Sequence, residues 1–176
     1  KIVQDLKDFS RVDQSDWHEA DLNAGLESTL NVVRHEVKYR ADVVKRLAPL
    51  PPVTCLAAQL NQVFMNLIVN AAQALGDHGT ITLSTGTQEG WAWVQVDDTG
   101  CGMSDFEPFY TTKEVGKGTG LGLSLSFSIV QRHHGTIQVR SAPGVGSSFR
   151  VWVPIDGPQA VAQDAPAPEW PEAAAT

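Results

Sequence analysis

Apolar residues recur along this chain with two alternating periods. Residues 1–12 carry Ile2, Leu6 and Phe9 at helical spacing among lysines and aspartates, the pattern of the tail of an amphipathic helix. A helix this short is marginal alone in water, which implies continuation upstream or a partner helix. Asp13 to Asp16 breaks the pattern. His18 to Leu22 reads as a short edge strand, and Asn23 as the N-cap of a helix running to about Arg40. Val43 to Leu47 reads as a strand, and Pro49, Pro51 and Pro52 then stop regular structure. The clearest helix covers residues 57–75. Leu60, Phe64, Leu67, Ile68, Ala71 and Leu75 gather on one face, with Gln59, Gln62, Asn66, Asn70 and Gln73 opposite. That polar stripe holds amides and no charge. Amides donate and accept at once, which suits a wall facing a ligand or metal-bound water; a solvated polar face is the plain alternative.

Period two then takes over. Thr80 to Thr85 and Trp91 to Asp98 alternate as strands across the turn-like Gly86–Gly90. In the second strand Ala92, Val94, Val96 and Asp98 share one face, and Trp91, Trp93, Gln95 and Asp97 the other. Asp98 therefore lies in line with buried residues, where a carboxylate costs several kcal/mol unless it is hydrogen-bonded. Residues 104–118 are polar and glycine-containing, the composition of a mobile loop. Thr119 to about His134 reads as a helix stopped by Gly135 in the left-handed conformation. Thr136 to Ser141 and Ser147 to Val153 form a closing hairpin, and the Ala/Pro-rich stretch after Pro154 predicts little regular structure. Trp91, Trp93 and Trp152 fall on the sheet face opposite Val94, Val96, Val151 and Val153. Exposed, they would form an apolar patch, so a cover is expected, either the Pro-Glu-Trp170-Pro tail or a partner protein. An amphipathic sheet margin is the plainer alternative.

Composition narrows the classes. The 176 residues are 42% hydrophobic and 19% charged, which suits one or two compact domains. No apolar run reaches the roughly 18–20 residues of a membrane span, and the first residues lack a signal-peptide pattern; a cytoplasmic location is expected for this chain, with a membrane-anchored parent protein left open. The formal charge of −7 argues against a nucleic-acid surface. Cys55 and Cys101 have no metal or redox spacing, and Cys101 between two glycines reads as a small loop residue.

Chemistry concentrates in two glycine stretches, Asp98-Thr-Gly-Cys-Gly102 at a strand end and Gly118-Thr-Gly-Leu-Gly122-Leu-Ser124 at a helix start. A carboxylate can accept from a base amino group, glycines let backbone approach a ring, and free N–H groups at a helix start cradle phosphates. A P-loop is excluded because Gly116-Lys-Gly-Thr lacks Gly-Lys-Ser/Thr after a strand. A dinucleotide fold fails for want of a βαβ frame.

Taken with their neighbours, these stretches resemble the catalytic, ATP-binding domain of sensor histidine kinases, in the superfamily that includes gyrase and MutL. Asn66-Leu-Ile-Val-Asn70-Ala-Ala resembles the N box and Asp98-Thr-Gly-Cys-Gly102-Met103 the first glycine box. Phe106-Glu-Pro-Phe-Tyr-Thr-Thr-Lys113 resembles the F box, and Gly118 to Ser124 the second glycine box. Gly144-Val-Gly-Ser-Ser-Phe149 resembles the closing glycine turn. The five motifs stand in the family's order over residues 19–154. The resemblance implies an α+β, Bergerat-type two-layer sandwich: a mixed, mostly antiparallel sheet with three main helices on one face. It divides the chain into the end of a dimerisation hairpin and linker (1–14), the ATP-binding domain (15–155) and an Ala/Pro-rich tail (156–176).

The resemblance also implies roles. Asp98 would read the adenine amino group, with Gly100, Gly102, Met103 and Leu123 around the ring. Asn70 would bind Mg²⁺ through a neutral amide oxygen, and Asn66 and Gln73 would face the same pocket. ATP-hydrolysing relatives carry a glutamate base at the spacing of Asn66, so asparagine favours phosphoryl transfer over hydrolysis. The Gly120-Leu121-Gly122 backbone, with Gly118 and Thr119, would meet the phosphates, while Thr112, Lys113 and Lys117 belong to a closing lid, and Ser148 to the closing turn at the nucleotide. The expected reaction passes the γ-phosphoryl of Mg-ATP to a histidine on a dimerisation domain of the same homodimeric protein, for relay to a response-regulator receiver domain. His18, His35, His78, His133 and His134 stand in the wrong context for that acceptor and read as surface or helix-end residues. Only Ser104 and Asp105 separate Met103 from Phe106, where the family has a longer, partly helical segment. The alternatives are a non-catalytic ATP-sensing or scaffold module, and a serine-phosphorylating anti-sigma-type kinase of the same superfamily.

Overall fold

In a computed structural model, which describes residues 16–100, 120–142, 144–162 and 165–170, Asp21 rather than Asn23 starts the first helix. The Asp21 side chain accepts from the Ala24 N–H, one of the orphan donors of a helix start. Asn23 instead donates to the Ala48 carbonyl and accepts from the Thr85 hydroxyl, which pins the helix to the sheet. A short strand, β1 (His18–Ala20), precedes this helix, α1 (Leu22–Val32). The helix expected to run to Arg40 breaks at Val33 and resumes as the short α2 (Arg34–Lys38). The next elements are β2 (Ala41–Leu47), β3 (Val53–Cys55), α3 (Ala57–Ala74), β4 (Gly79–Gln88) and β5 (Trp91–Asp98). After residues 101–119 follow α4 (Gly120–Arg132), β6 (Thr136–Ala142), β7 (Gly146–Pro154) and a 3₁₀ turn at Pro158–Ala160. The expectations for residues 1–12 and 104–118 lie outside the described residues.

Five strands form one sheet in the order β2-β4-β5-β7-β6, with β2 parallel to β4 and every other pair antiparallel. β1 and β3 form a separate antiparallel pair. Strand parity divides the five-stranded sheet. Ile81, Leu83, Val94, Val96, Ile137, Val139, Val151 and Val153 share a core with Leu26 and Leu30 of α1, Phe64, Leu67 and Ile68 of α3, and Ile129 and Val130 of α4. The sandwich of one sheet and three main helices is the expected one.

Two local expectations need correcting. β4 runs past Gly86 to Gln88, so the hairpin turn shrinks to Glu89 and Gly90 with φ of 51° and 85°, the left-handed pair of a tight two-residue turn. At the end of α4 the left-handed residue is His134, at φ 59°, and not Gly135. Glycine is needed at 135 for another reason: a Cβ there would come within 2.0 Å of the Trp152 carbonyl oxygen.

The outer face of the sheet is covered around its tryptophans and open at β2, where Val44 is 39% exposed. Trp152 has no exposed surface and Trp91 is buried. The cover includes the chain's own tail, in which Trp170 lies over the sheet and Pro168 is buried. The tail also leaves β7 in an orderly way: Ile155 donates to the Gly90 carbonyl and its own carbonyl accepts from Thr54.

Candidate functional site

β5 ends on the core side of the sheet with Asp98, only 7% exposed, as strand alternation requires. The Gly100 N–H donates to its Oδ1 at 2.9 Å, and the Ser147 N–H bonds to the same carboxylate. Burial is the larger influence and pushes the Asp98 carboxyl above its ordinary value. The two N–H bonds pull it down, and the neighbouring charge of Asp97 pushes it up again. A buried carboxylate so poised has acceptor capacity left for a donor such as an exocyclic amine.

Glycines let backbone crowd this carboxylate. A Cβ on Gly100 would meet the Ala74 carbonyl oxygen at 2.4 Å, so the turn after β5 packs directly on the end of α3. Gly146, at φ +134°, lies where a Cβ would approach the Asp98 carbonyl oxygen to 2.0 Å. The first glycine box and the closing turn therefore meet backbone to backbone at the same corner as the end of α3.

On α3, Asn70 is half-buried and its Nδ2 lacks a partner among the described residues. A buried donor normally has a partner, so this one is left free to meet an acceptor on a ligand. Asn66, one turn earlier, is engaged: its Nδ2 donates to Ser126 Oγ at 3.2 Å and its Oδ1 accepts from Gln62. Asn66 thus ties α3 to α4. Gln59, placed with the polar stripe, is buried, whereas Gln73 at the far end is exposed. Gly120, Leu121 and Gly122 form the first turn of α4, and Leu123 is buried behind them. Gly102, Met103, Thr112, Lys113, Lys117, Gly118 and Thr119 lie outside the described residues.

Ser148 departs from expectation. It pairs with Asp97, so its side chain falls on the outer sheet face, where its hydroxyl donates to the Asp97 carboxylate. The closing-turn serine on the Asp98 side is Ser147, its register partner, whose hydroxyl lies 2.9 Å from that of Ser141. Parity read one residue along would have found it.

His133 stands at the end of α4, one of the two expected settings, but it is 1% exposed and so not a surface residue. Its Nδ1 donates to the Ile129 carbonyl at 2.8 Å, leaving Nε2 to accept the Leu56 N–H at 3.0 Å. Leu56 is the N-cap position of α3 and offers no side-chain acceptor, so a histidine from the end of α4 satisfies that start. Burial pushes the His133 pKa down, the Ile129 bond pulls it up and the Arg132 charge lowers it.

This corner has the parts of a known ATPase. The family model for the histidine kinase-, DNA gyrase B-, and HSP90-like ATPase matches residues 55–157, from β3 past the end of β7. The chain belongs to that family. This ATPase domain is 38% identical over 170 residues to the signal transduction histidine-protein kinase AtoS of Escherichia coli (strain K12), covering 89% of this chain and 27% of AtoS. It is 33% identical over 164 residues to the sensor histidine kinase ZraS of the same strain, covering 89% of this chain and 35% of ZraS. The chain thus spans about a third or less of the curated relatives it matches. Among solved structures, the catalytic domain of histidine kinase ThkA superposes with a TM-score of 0.68 at 26% identity, covering 82% of this chain and 98% of that one. The Acinetobacter baumannii histidine kinase AdeS shares the fold with a TM-score of 0.67 at 24% identity, over 87% of this chain and 76% of that one. The ATPase domain is therefore of the sensor histidine kinase type, a catalytic domain that binds ATP. No helix among its described residues is long and apolar enough to cross a membrane.

Proposed function

We propose that this domain transfers the γ-phosphoryl of ATP to a histidine on a dimerisation domain of the same protein, which then supplies a response-regulator receiver domain. The observation that carries the reading is the corner where Asp98, buried with acceptor capacity to spare, meets the end of the helix bearing the unpartnered amide of Asn70. Similarity to AtoS and ZraS, both named histidine kinases, supports the transfer to a protein side chain. So does the residue one turn before Asn70. An asparagine there cannot take a proton from water, and Asn66 is further occupied by Ser126 and Gln62.

In this reading Asp98 accepts from the adenine amino group and sets base specificity. The backbone of Gly100 and Gly146 keeps the carboxylate's surroundings thin. The first turn of α4 presents N–H groups to the phosphates, since the start of a helix carries unpaired donors and partial positive charge. Lys113 and Lys117 are the cations proposed to close over them, and residues 1–14 and 156–176 the linker and tail that flank the domain.

Mg²⁺ belongs to the proposal. Among the described residues no group of three or more His, Cys, Asp or Glu side chains could hold a metal, so phosphate oxygens would supply most of its ligands. A neutral amide oxygen fits such a hard, phosphate-bound cation, so Asn70 would hold it through Oδ1, leaving the unpartnered Nδ2 to donate to a phosphate oxygen. Bound there, Mg²⁺ would neutralise charge on the β- and γ-phosphates.

The test is phosphoryl transfer. The domain is mixed with radiolabelled ATP, magnesium and a purified dimerisation hairpin carrying the acceptor histidine. Acid-labile label on the hairpin supports the proposal. ATP binding with no label on the hairpin supports a sensing module, and acid-stable label on serine an anti-sigma-type kinase.

A further inference from the structure

The outer sheet face carries a connected set of side chains that the nucleotide site does not use. Arg150, 8% exposed, lies with its guanidinium carbon 3.8 Å over the Trp93 ring, 5.4 Å from the Trp152 ring and 5.0 Å from the Trp170 ring. Arg140 lies 4.2 Å over the Trp170 ring and donates from Nη2 to the Trp170 carbonyl at 2.7 Å. A planar guanidinium stacks on indoles while its edge stays free for hydrogen bonds. The Arg150 edge is used in that way: Nε donates to Gln95 Oε1 at 2.7 Å. Burial pushes the Arg150 pKa down to about 10, against the pull of the Asp97 charge.

The occupant of this face is specific. Residues 165–170 read Ala-Pro-Ala-Pro-Glu-Trp and adopt no helix or strand. Alternate prolines restrict the backbone before docking, which lowers the entropy lost on binding an aromatic-lined surface. Pro168 is buried and Trp170 half-buried. The contacts also continue inward from the tail. Gln95, held by Arg150, donates from Nε2 to both oxygens of Asp97 at 2.9 Å, and Ser148 donates to the same carboxylate. Asp97 and Ser148 are the chain neighbours of Asp98 and Ser147.

We propose that the outer sheet face is a docking site for a proline-rich segment ending in tryptophan, filled here by the chain's own residues 165–170, and that its occupancy steadies the strand ends holding Asp98 through Arg150, Gln95, Asp97 and Ser148. The docking stands by itself, whereas the link to Asp98 rests on the nucleotide reading above. The two arginines select the indole by stacking and the chain direction by the Arg140 bond to the Trp170 carbonyl.

The experiment compares the full chain with its Trp170→Ala variant by indole ¹⁵N–¹H spectra and ATP titration. Displacement of the segment should shift the Trp93 and Trp152 indole signals. An added acetylated Ala165–Trp170 peptide at millimolar concentration should return them toward wild-type positions, and fail to do so in a Trp170→Ala/Arg150→Gln chain. Indole signals indifferent to Trp170→Ala, or a peptide that does not restore them, would overturn the docking. Wild-type signals that change with protein concentration would seat a second copy's segment there and overturn the intramolecular arrangement. For the link, the ATP dissociation constant should rise about 2- to 30-fold in Trp170→Ala and recover with peptide. An unchanged constant alongside shifted indoles would overturn the link alone. Failure of both chains to bind ATP would overturn the nucleotide reading and leave the docking to the spectra.

Discussion

Replacing Asp98 by asparagine separates two effects that the site holds in opposition. The buried carboxyl has a pKa above its ordinary value, so the folded chain holds that proton more tightly than the unfolded chain. Between the unfolded pKa and the raised folded one, stability therefore increases as pH falls, and at neutral pH the ionised group is a cost of up to about 1.4 kcal/mol for each unit of the rise. The amide of Asp98→Asn would carry no charge, and its single carbonyl oxygen could still accept from the Gly100 N–H, which lies 2.9 Å from the Asp98 Oδ1. The nucleotide-free variant should then melt no lower than wild type. Its amide nitrogen would meet the adenine amino group donor to donor. Loss of one charge-assisted hydrogen bond, about 1.5–3 kcal/mol, corresponds to roughly 10- to 150-fold weaker ATP binding. Calorimetric titration with ATP and thermal melts of both chains, without nucleotide, measure the two quantities. A variant that binds ATP within about twofold of wild type refutes the base-reading role. A variant that melts many degrees lower shows that the carboxylate is a net structural support and refutes the electrostatic argument.

The other predictions concern the same corner and its supports. Asn70→Ala should reduce Mg²⁺-dependent phosphoryl transfer at least about 10-fold, with little change in melting temperature, since its Nδ2 has no partner to lose; transfer at the wild-type rate would remove Asn70 from the metal. Gly100→Ala should destabilise by about 1–3 kcal/mol, because the new Cβ meets the Ala74 backbone oxygen and not a side chain that can turn away. Urea midpoints report it. His133→Phe leaves the buried Leu56 N–H unpaired and should cost about 1–3 kcal/mol at pH 8. In wild type the depressed folded pKa of His133 means its contribution is present above the unfolded value of about 6.5 and falls as pH drops toward the folded one. The difference between His133→Phe and wild type in urea should accordingly shrink at pH 5.

The long periodic elements are legible in the sequence because burial on one face imposes the period. That is why the pattern over residues 57–75 and the alternation of residues 91–98 place their elements to within a residue or two, and why parity alone separates Asp98 from Asp97. β3 escapes such a reading because three residues after a proline cluster carry no measurable period. The cap of α1 is ambiguous locally because Asp21 and Asn23 are equally good N-caps. A bond from Asn23 to Ala48, 25 residues away, takes Asn23 out of that role. Gly135 has the local signature of a left-handed stop, but the demand on it comes from the Trp152 backbone, which no local pattern contains. His133 looks like one of a pair of helix-end histidines, and only the arrival of Leu56 from another element gives it work. The need to cover the tryptophan face follows from parity alone. That the tail shares in its cover requires the fold.

The shared terminus of α3 and α4 has a consequence for how the domain can open. The start of α3 relies on the end of α4 for an acceptor, and Asn66 bonds across to Ser126 near the middle of both. Unravelling α4 at these points takes acceptors from the Leu56 N–H and Asn66 Nδ2, and unravelling α3 takes donors from His133 Nε2 and Ser126 Oγ. The two bonds predict that α3 and the stretch of α4 from Ser126 to His133 show matching amide-exchange protection. The helix bearing Asn70 is thereby bonded to α4 at its middle as well as at its start, so opening of either helix at these points should be read in the amide exchange of both.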